Sequence, residues 1–357
     1  MDFTWTSEQQ QIRDSVLKLC ARFDDAYWLE RDASHTFPED FCRALAEAGF
    51  IGVAVPEAYG GSGLGTTEAA IVVQAISESG AANSGVSAVA IGLFGLKPLL
   101  VYGSESQKQA WVPRIVARQD IACFGVTEPN TGHDTTRLKT RAERRGDTYY
   151  VSGEKVWIST AQQANKIMLI ARTTPIEETP RPIDGLSLFY TDLDRRYADI
   201  REIPKMGRAC VDSNQIYFDA MPVPVEHRIG EEGRGFRYLL TGLNAERILI
   251  AAGLVGLGRA ALKRAAAYAK ERVVFGRPIG MNQAIQHPLA ASWAKLEAAN
   301  LLAFKAASMQ DANEDCGAEA NAAKYLAAEA AFEACTQARS RRGVPISSGF
   351  KMGCESK

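Results

Sequence analysis

Between Asp120 and Pro224 the periodicity of this chain changes, and the two borders of that stretch restrict the folds open to it. Four runs inside it, DTYYVSGEKVWIS, ANKIMLIART, DGLSLFYTDL and SNQIYFDAMPVPV, are short, rich in β-branched and aromatic residues, and separated by Gly, Pro, Asn and Asp. Such runs predict an antiparallel sheet or barrel. On both sides the apolar residues recur at helical spacing. Upstream, residues 5–36 predict one amphipathic helix capped at Thr6 or Ser7, with Ile12, Val16, Leu17, Cys20 and Phe23 on its stripe. A second helix starts at Pro38 and stops at Gly49, the nearly uncharged stretch 66–100 predicts a doubly buried helix pair, and GSESQKQAWVPRIV predicts a capped helix. Downstream, an Ala/Leu-rich helix runs on from Gly235, and two further helices are expected from about Gln283 to Asn313 and from Ala318 to Arg339. Within the first, the small residues of Gly253–Leu254–Val255–Gly256–Leu257–Gly258 allow another helix to approach closely. The order is therefore α, β, α: an α+β architecture with a helical block 1–120, a β block 121–228, and a helical block 229–357 whose tail, 339–357, is polar and basic.

Two or three blocks also suit the length, because 357 residues exceed what one core supports. The 41 basic and 42 acidic side chains leave a net charge of −1 and no basic surplus for a nucleic-acid partner. Seven cysteines without CxxC spacing fit a reducing compartment and offer no metal pattern. The N-terminus lacks the apolar core of a signal peptide and the Arg-rich character of a transit peptide, and no apolar run looks long enough to span a bilayer. A soluble cytoplasmic protein is expected, with no membrane partner. The glycine cluster at Ser62–Gly65 reads as a turn, since neither GKS/T nor GxGxxG follows a strand there.

The chemistry concentrates between Phe124 and Ser159. FGVTEPNTGHD offers hydroxyls and backbone N–H groups on a turn, and EKVWISTA supplies Trp157 with Ser159 two residues on, which in a regular strand share a face. An aromatic wall beside a hydroxyl suits a flat ring with a polar edge, and the stretch is expected to hold the isoalloxazine of a flavin. Taken singly, the signals are weak. Trp157 alone is more often core than cofactor wall, Thr127 in a turn is usually a cap, and Glu246–Arg247 alone reads as a solvated pair on a helix. Arg272, at the end of a long helix, would favour the negative end of its dipole in any protein.

Four motifs in order lift the functional reading. Val126–Thr127–Glu128–Pro129 with Gly132 and Asp134, Trp157–Ile158–Ser159, Met206–Gly207, and Arg272–Val273–Val274–Phe275–Gly276 with Gln283 resemble the acyl-CoA dehydrogenases, from Phe3 to about Ala338. The resemblance implies an N-terminal helical domain, a middle β domain and a C-terminal four-helix bundle that assembles into homotetramers or dimers. It also implies FAD as cofactor, an acyl thioester of CoA or of a carrier protein as substrate in fatty acid metabolism, and an electron-transfer flavoprotein as electron acceptor.

Carried over residue by residue, Phe124, Val126 and Thr127 line the flavin, Trp157 stacks near it and Ser159 bonds N5. Arg272, Phe275 and Gln283 reach the cofactor held mainly by the neighbouring subunit. His133, where the family has a small Ser, Asn244 and Arg247 lie toward the substrate. Glu246 matches the minority of the family that carries the catalytic base on the first long C-terminal helix. Burial would raise its pKa and Arg247 would lower it, and the sequence leaves that contest open. After Ala338 the family continues with a Gln-x-x-Gly-Gly turn and another helix, so the bundle here is expected to be incomplete. Two other readings stay open: a scaffolding or impaired subunit of a hetero-oligomer, and a flavin monooxygenase on the same fold.

Overall fold

The computed structural model describes residues 4–342. Its N-terminal block opens with α1 (Ser7–Cys20), where Thr6 accepts from the Gln9 N–H and the Gln9 side chain returns the bond to the Thr6 N–H. The single helix expected over 5–36 is in fact two. Asp24 accepts from the Tyr27 N–H at 3.0 Å and starts α2 (Asp25–Ala33) afresh. A short carboxylate offers the backbone an alternative to continuing the helix, which ends α1 and caps α2. Then come α3 (Glu39–Glu47), α4 (Thr66–Ile76), α5 (Ala82–Ala90), α6 (Lys97–Tyr102) and α7 (Glu105–Val116), the last capped reciprocally by Ser104 and Gln107. Every residue of α4 from Ala69 to Ile76 is buried, as its uncharged sequence predicts. Gly80, at φ 113°, bends the chain between α4 and α5.

The middle block is one eight-stranded sheet. Its strands are β1 (Ala122–Gly125), β2 (Arg141–Arg145), β3 (Thr148–Ser159), β4 (Lys166–Arg172), β5 (Leu186–Asp192), β6 (Ala198–Glu202), β7 (Ser213–Pro224) and β8 (Arg228–Ile229). They lie in the order β6-β7-β3-β2-β4-β5-β8, with β1 beside β4. Most neighbours are antiparallel, but β1 runs parallel to β4, and β2 meets β4 in parallel at Arg141 and Arg172. The sheet is mixed where the sequence suggested antiparallel pairing alone, because the β2–β3 hairpin intervenes between β1 and β4 and returns the chain in the same direction. Tyr149, Val151, Ile167, Phe189 and Ile216 fill one core of this block.

The C-terminal block holds α8 (Gly235–Glu271), a hairpin of β9 (Val273–Val274) and β10 (Arg277–Pro278), then α9 (Gln283–Asp311) and α10 (Gly317–Arg342). The three long helices pack on one another, and α8 also packs on α4. The contacts are close because the residues are small: a Cβ on Gly256 would sit 2.4 Å from the Gln74 carbonyl oxygen of α4, and one on Gly258 2.5 Å from Leu296 of α9. Ala299, Ala303, Ala323 and Ala327 continue that seam. A window of α8 is long and apolar enough to cross a membrane, which the sequence reading did not expect; 56% of it is buried inside the protein, as in a core helix. Among the described residues the bundle has three helices. The divergent tail 339–357 lies outside the described residues from 343 onward.

Candidate active site

A cleft of about 410 Å³ opens where the three blocks meet. The sheet contributes Phe124, Trp157 and Ser159, the turn after β1 contributes Val126 and Thr127, the helices contribute Ser87 from α5 and Glu246 from α8, and the β6–β7 connection contributes Arg208. The gathering of Phe124, Val126, Thr127, Trp157, Ser159 and Glu246 in one cleft is what the sequence led us to expect, although Glu246 is far from the others along the chain.

A buried ion pair holds the turn after β1. Lys155 is fully buried, and its Nζ donates to the Glu128 carboxylate at 2.9 Å and to the Val126 carbonyl at 3.0 Å. Glu128 also accepts from the N–H groups of Lys139 and Thr140, at 2.6 and 2.9 Å. Burial pulls the Lys155 ammonium down to about 8 against the pull of Glu128. The Val156 N–H closes the arrangement by donating to the Thr127 carbonyl at 2.9 Å. Val126 and Thr127 are thereby fixed by the same strand that carries Trp157. The sequence reading passed over Lys155; its signal was a lysine on an inward-facing strand position, 27 residues after an acidic turn.

Trp157 reaches the cleft by a different route from the one its spacing suggests. Between Lys155 and Ile158 strand β3 takes three steps while β7 takes two, from Ile216 to Asn214. This bulge puts Trp157 at φ 63° and leaves its side chain 62% exposed, with Ile158 buried beneath and Ser159 following. Alternation alone therefore does not bring Trp157 and Ser159 together. The bulge re-aims the indole, and Thr160, also at φ 63°, ends the strand. A large aromatic face left uncovered beside two hydroxyls, Thr127 and Ser159, fits a planar ring with polar edges.

Opposite the sheet, Glu246 lies on α8. Burial pushes its carboxyl above the ordinary range, while Lys324 and Arg247 pull the other way. Desolvation is thus the larger effect in the contest the sequence left open. Arg247 turns aside and donates to the Asn244 side chain at 3.2 Å. Neither of these lines the cleft, nor does His133, which is exposed on the loop after β1. Arg272, Phe275 and Gln283 are also outside it, exposed at and beyond the β9–β10 hairpin, where Phe275 is 100% exposed at the tip. Within one chain the structure therefore assembles six of the twelve expected side chains. Among the described residues no group of three or more His, Cys, Asp or Glu could hold a metal.

Three family models together match nearly the whole chain. The acyl-CoA dehydrogenase N-terminal domain matches residues 6–119, the middle domain 123–221 and the C-terminal domain 233–344. A probable acyl-CoA dehydrogenase, YngJ of Bacillus subtilis, is 34% identical over 95% of this chain and 88% of its own length. The glutaryl-CoA dehydrogenase of Desulfococcus multivorans is 35% identical over 92% and 85%. Among solved structures, butyryl-CoA dehydrogenase from Megasphaera elsdenii superposes with a TM-score of 0.90 at 27% identity, covering 98% of this chain and 94% of that one. From the three blocks, the cleft they enclose and these matches, the chain belongs to the acyl-CoA dehydrogenase family of FAD-dependent oxidoreductases acting on the CH–CH bond of acyl thioesters.

Proposed function

We propose that the chain removes the α proton and a β hydride from an acyl thioester, giving the 2,3-enoyl thioester, with Glu246 as the base. The carrying observation is that Glu246 of α8 lines the same cleft as Thr127, Trp157 and Ser159 of the middle block. FAD, when bound, supplies the hydride acceptor. The rest is the work of the chain's own groups. Trp157 offers an aromatic wall, Thr127 and Ser159 offer hydroxyls for a polar ring edge, and Phe124 and Val126 close the apolar end. Burial makes the Glu246 carboxylate a better base than a solvated one, because a raised pKa brings it nearer that of an activated α proton.

In this reading Arg272, Phe275 and Gln283 serve a neighbouring copy's cofactor in a homo-oligomer, a dimer or a tetramer. An entirely exposed phenylalanine at a hairpin tip supports that assignment, since nothing among the described residues covers it. His133, Asn244 and Arg247 are assigned to the approaching thioester and its carrier. A role in cytoplasmic fatty acid metabolism, with an electron-transfer flavoprotein taking the electrons, completes the proposal. The six cysteines of the described residues are all free thiols, which suits a reducing compartment. The test is an anaerobic titration of FAD-loaded protein with an acyl-CoA series, following loss of the flavin band near 450 nm. Bleaching by at least one saturated thioester supports the reading, and a protein that binds FAD yet bleaches with none of them overturns it.

A further inference from the structure

Among the described residues that line the cleft Arg208 is the one cation, and the proposed reaction leaves it without a role. Arg208 lies on the connection between β6 and β7 with φ 57°, a conformation uncommon for a non-glycine residue. Three parts of the fold hold it there. Its Nη1 donates to Ser87 Oγ of α5 at 2.6 Å, and its Nη2 donates to Ser213 Oγ at 3.3 Å and reaches Ser159 Oγ at 3.5 Å. The next residue, Ala209, donates its N–H to the Asp32 carboxylate of α2 at 2.6 Å, anchoring the loop. Among the described residues the hydrogen-bond partners of this guanidinium are all hydroxyls. Among the described residues no carboxylate forms an ion pair with it; the nearby Asp212 spends Oδ2 on the Gln162 N–H and the Asn214 side chain, and its buried Oδ1 bonds nothing. A guanidinium carries five N–H donors, so a half-buried one served by hydroxyls keeps both charge and donors for a ligand.

We propose that Arg208 is the anion-stabilising residue of this cleft, a fixed positive charge beside Ser159 that favours the negative charge gained by a flavin on two-electron reduction. The inference rests on the flavin reading of the cleft. It goes beyond that reading by assigning the driving force for reduction to a residue outside the expected set. The charge is already in place before reduction, so no side chain has to reorganise when the new charge appears. Ser87 and Ser213 then act as positioning residues, holding the guanidinium without neutralising it.

The experiment compares wild type with Arg208→Gln, which keeps a hydrogen-bond donor for Ser87 but not the charge, and Arg208→Lys, which keeps the charge. FAD content is measured first, and then the midpoint potential of bound FAD by reductive titration with dithionite against a reference dye. Arg208→Gln is expected to make two-electron reduction at least tenfold less favourable, a fall of about 30 mV for a two-electron couple. Arg208→Lys is expected to recover most of it. A potential in Arg208→Gln within twofold of wild type, at equal FAD content, overturns the proposal, as does an Arg208→Lys protein that behaves like Arg208→Gln. Should Arg208→Gln fail to load FAD, the Arg208→Lys and wild-type pair decides, because a charge effect requires their potentials to agree within threefold. A wild-type chain that takes up no FAD removes the flavin reading itself, and the Arg208 proposal with it; that failure appears in the FAD content and not in the potential.

Discussion

Replacing Lys155 by Met tests how the cleft's floor is built. The side chain is fully buried, and its ammonium is bonded to Glu128 at 2.9 Å and to the Val126 carbonyl at 3.0 Å. Methionine fits the space but leaves the Glu128 carboxylate buried without its counter-charge. Removing one partner of a buried pair costs roughly 3–5 kcal/mol. Glu128 keeps its bonds from the Lys139 and Thr140 N–H groups, at 2.6 and 2.9 Å, so the loss should lie near the low end, about 3 kcal/mol. Urea unfolding followed by tryptophan fluorescence measures it.

The second half of the test is Lys155→Met combined with Glu128→Gln. The amide oxygen can accept from only one of the Lys139 and Thr140 N–H groups, which reach different carboxylate oxygens, but the stranded charge is gone, so the double variant should regain part of the loss. Because Val126 and Thr127 line the cleft, FAD affinity should fall in the single variant and recover in the double. A single variant losing less than about 1 kcal/mol, or a double-mutant cycle without coupling, would show that the pair does not hold the turn.

Other consequences follow from particular residues. Glu246 has a folded-state pKa raised by burial, so its stabilising contribution is present at low pH and lost as pH rises through the ordinary carboxylate range to the raised value. Glu246→Gln should therefore raise the thermal midpoint at about pH 8 and leave it nearly unchanged at about pH 4; equal shifts at both would contradict the burial argument. Gly256→Ala should destabilise by roughly 1–3 kcal/mol despite alanine's better helix propensity, because the added Cβ meets the Gln74 carbonyl oxygen at 2.4 Å. A stabilised variant, read by denaturant melts, would place α4 and α8 further apart than described. Phe275 and Gly276 form a two-residue turn with φ of 52° and 74°, where Asn-Gly is the preferred pair. Phe275→Asn should therefore leave the monomer's fold intact and lower the mass measured by light scattering; an unchanged assembly would remove this phenylalanine from any subunit contact.

Much of this was open to reading in the sequence where the signal is local. The helix starts at Gly235 and Gln283 and the texture change near Asp120 were visible because periodicity and turn residues act within a few positions. Thr127, Trp157, Ser159 and Glu246 were found by motif, and the cleft brings them together. What escaped depends on geometry that local patterns do not encode. The break before α2 turns on one side-chain bond that Asp24 accepts from the Tyr27 N–H, and the aim of Trp157 depends on a bulge whose count is set by β7. Arg208 is held by Ser87, 121 residues away, while its loop is tied to Asp32 across 177. No window along the chain contains those pairs. The parallel pairing of β1 with β4 was missed for the same reason, since it skips the intervening hairpin.

The central claim is that this cleft oxidises an acyl thioester with Glu246 as base. Its most direct test mixes FAD-loaded wild type and Glu246→Gln, each under anaerobic conditions, with a saturated acyl-CoA series that includes octanoyl-CoA, recording the visible spectrum over time. Wild type should lose the band near 450 nm rapidly, and Glu246→Gln should do so at a rate at least a hundredfold lower, as expected for loss of a positioned base worth about 10²–10⁴ in rate. Equal bleaching in the two proteins would contradict it.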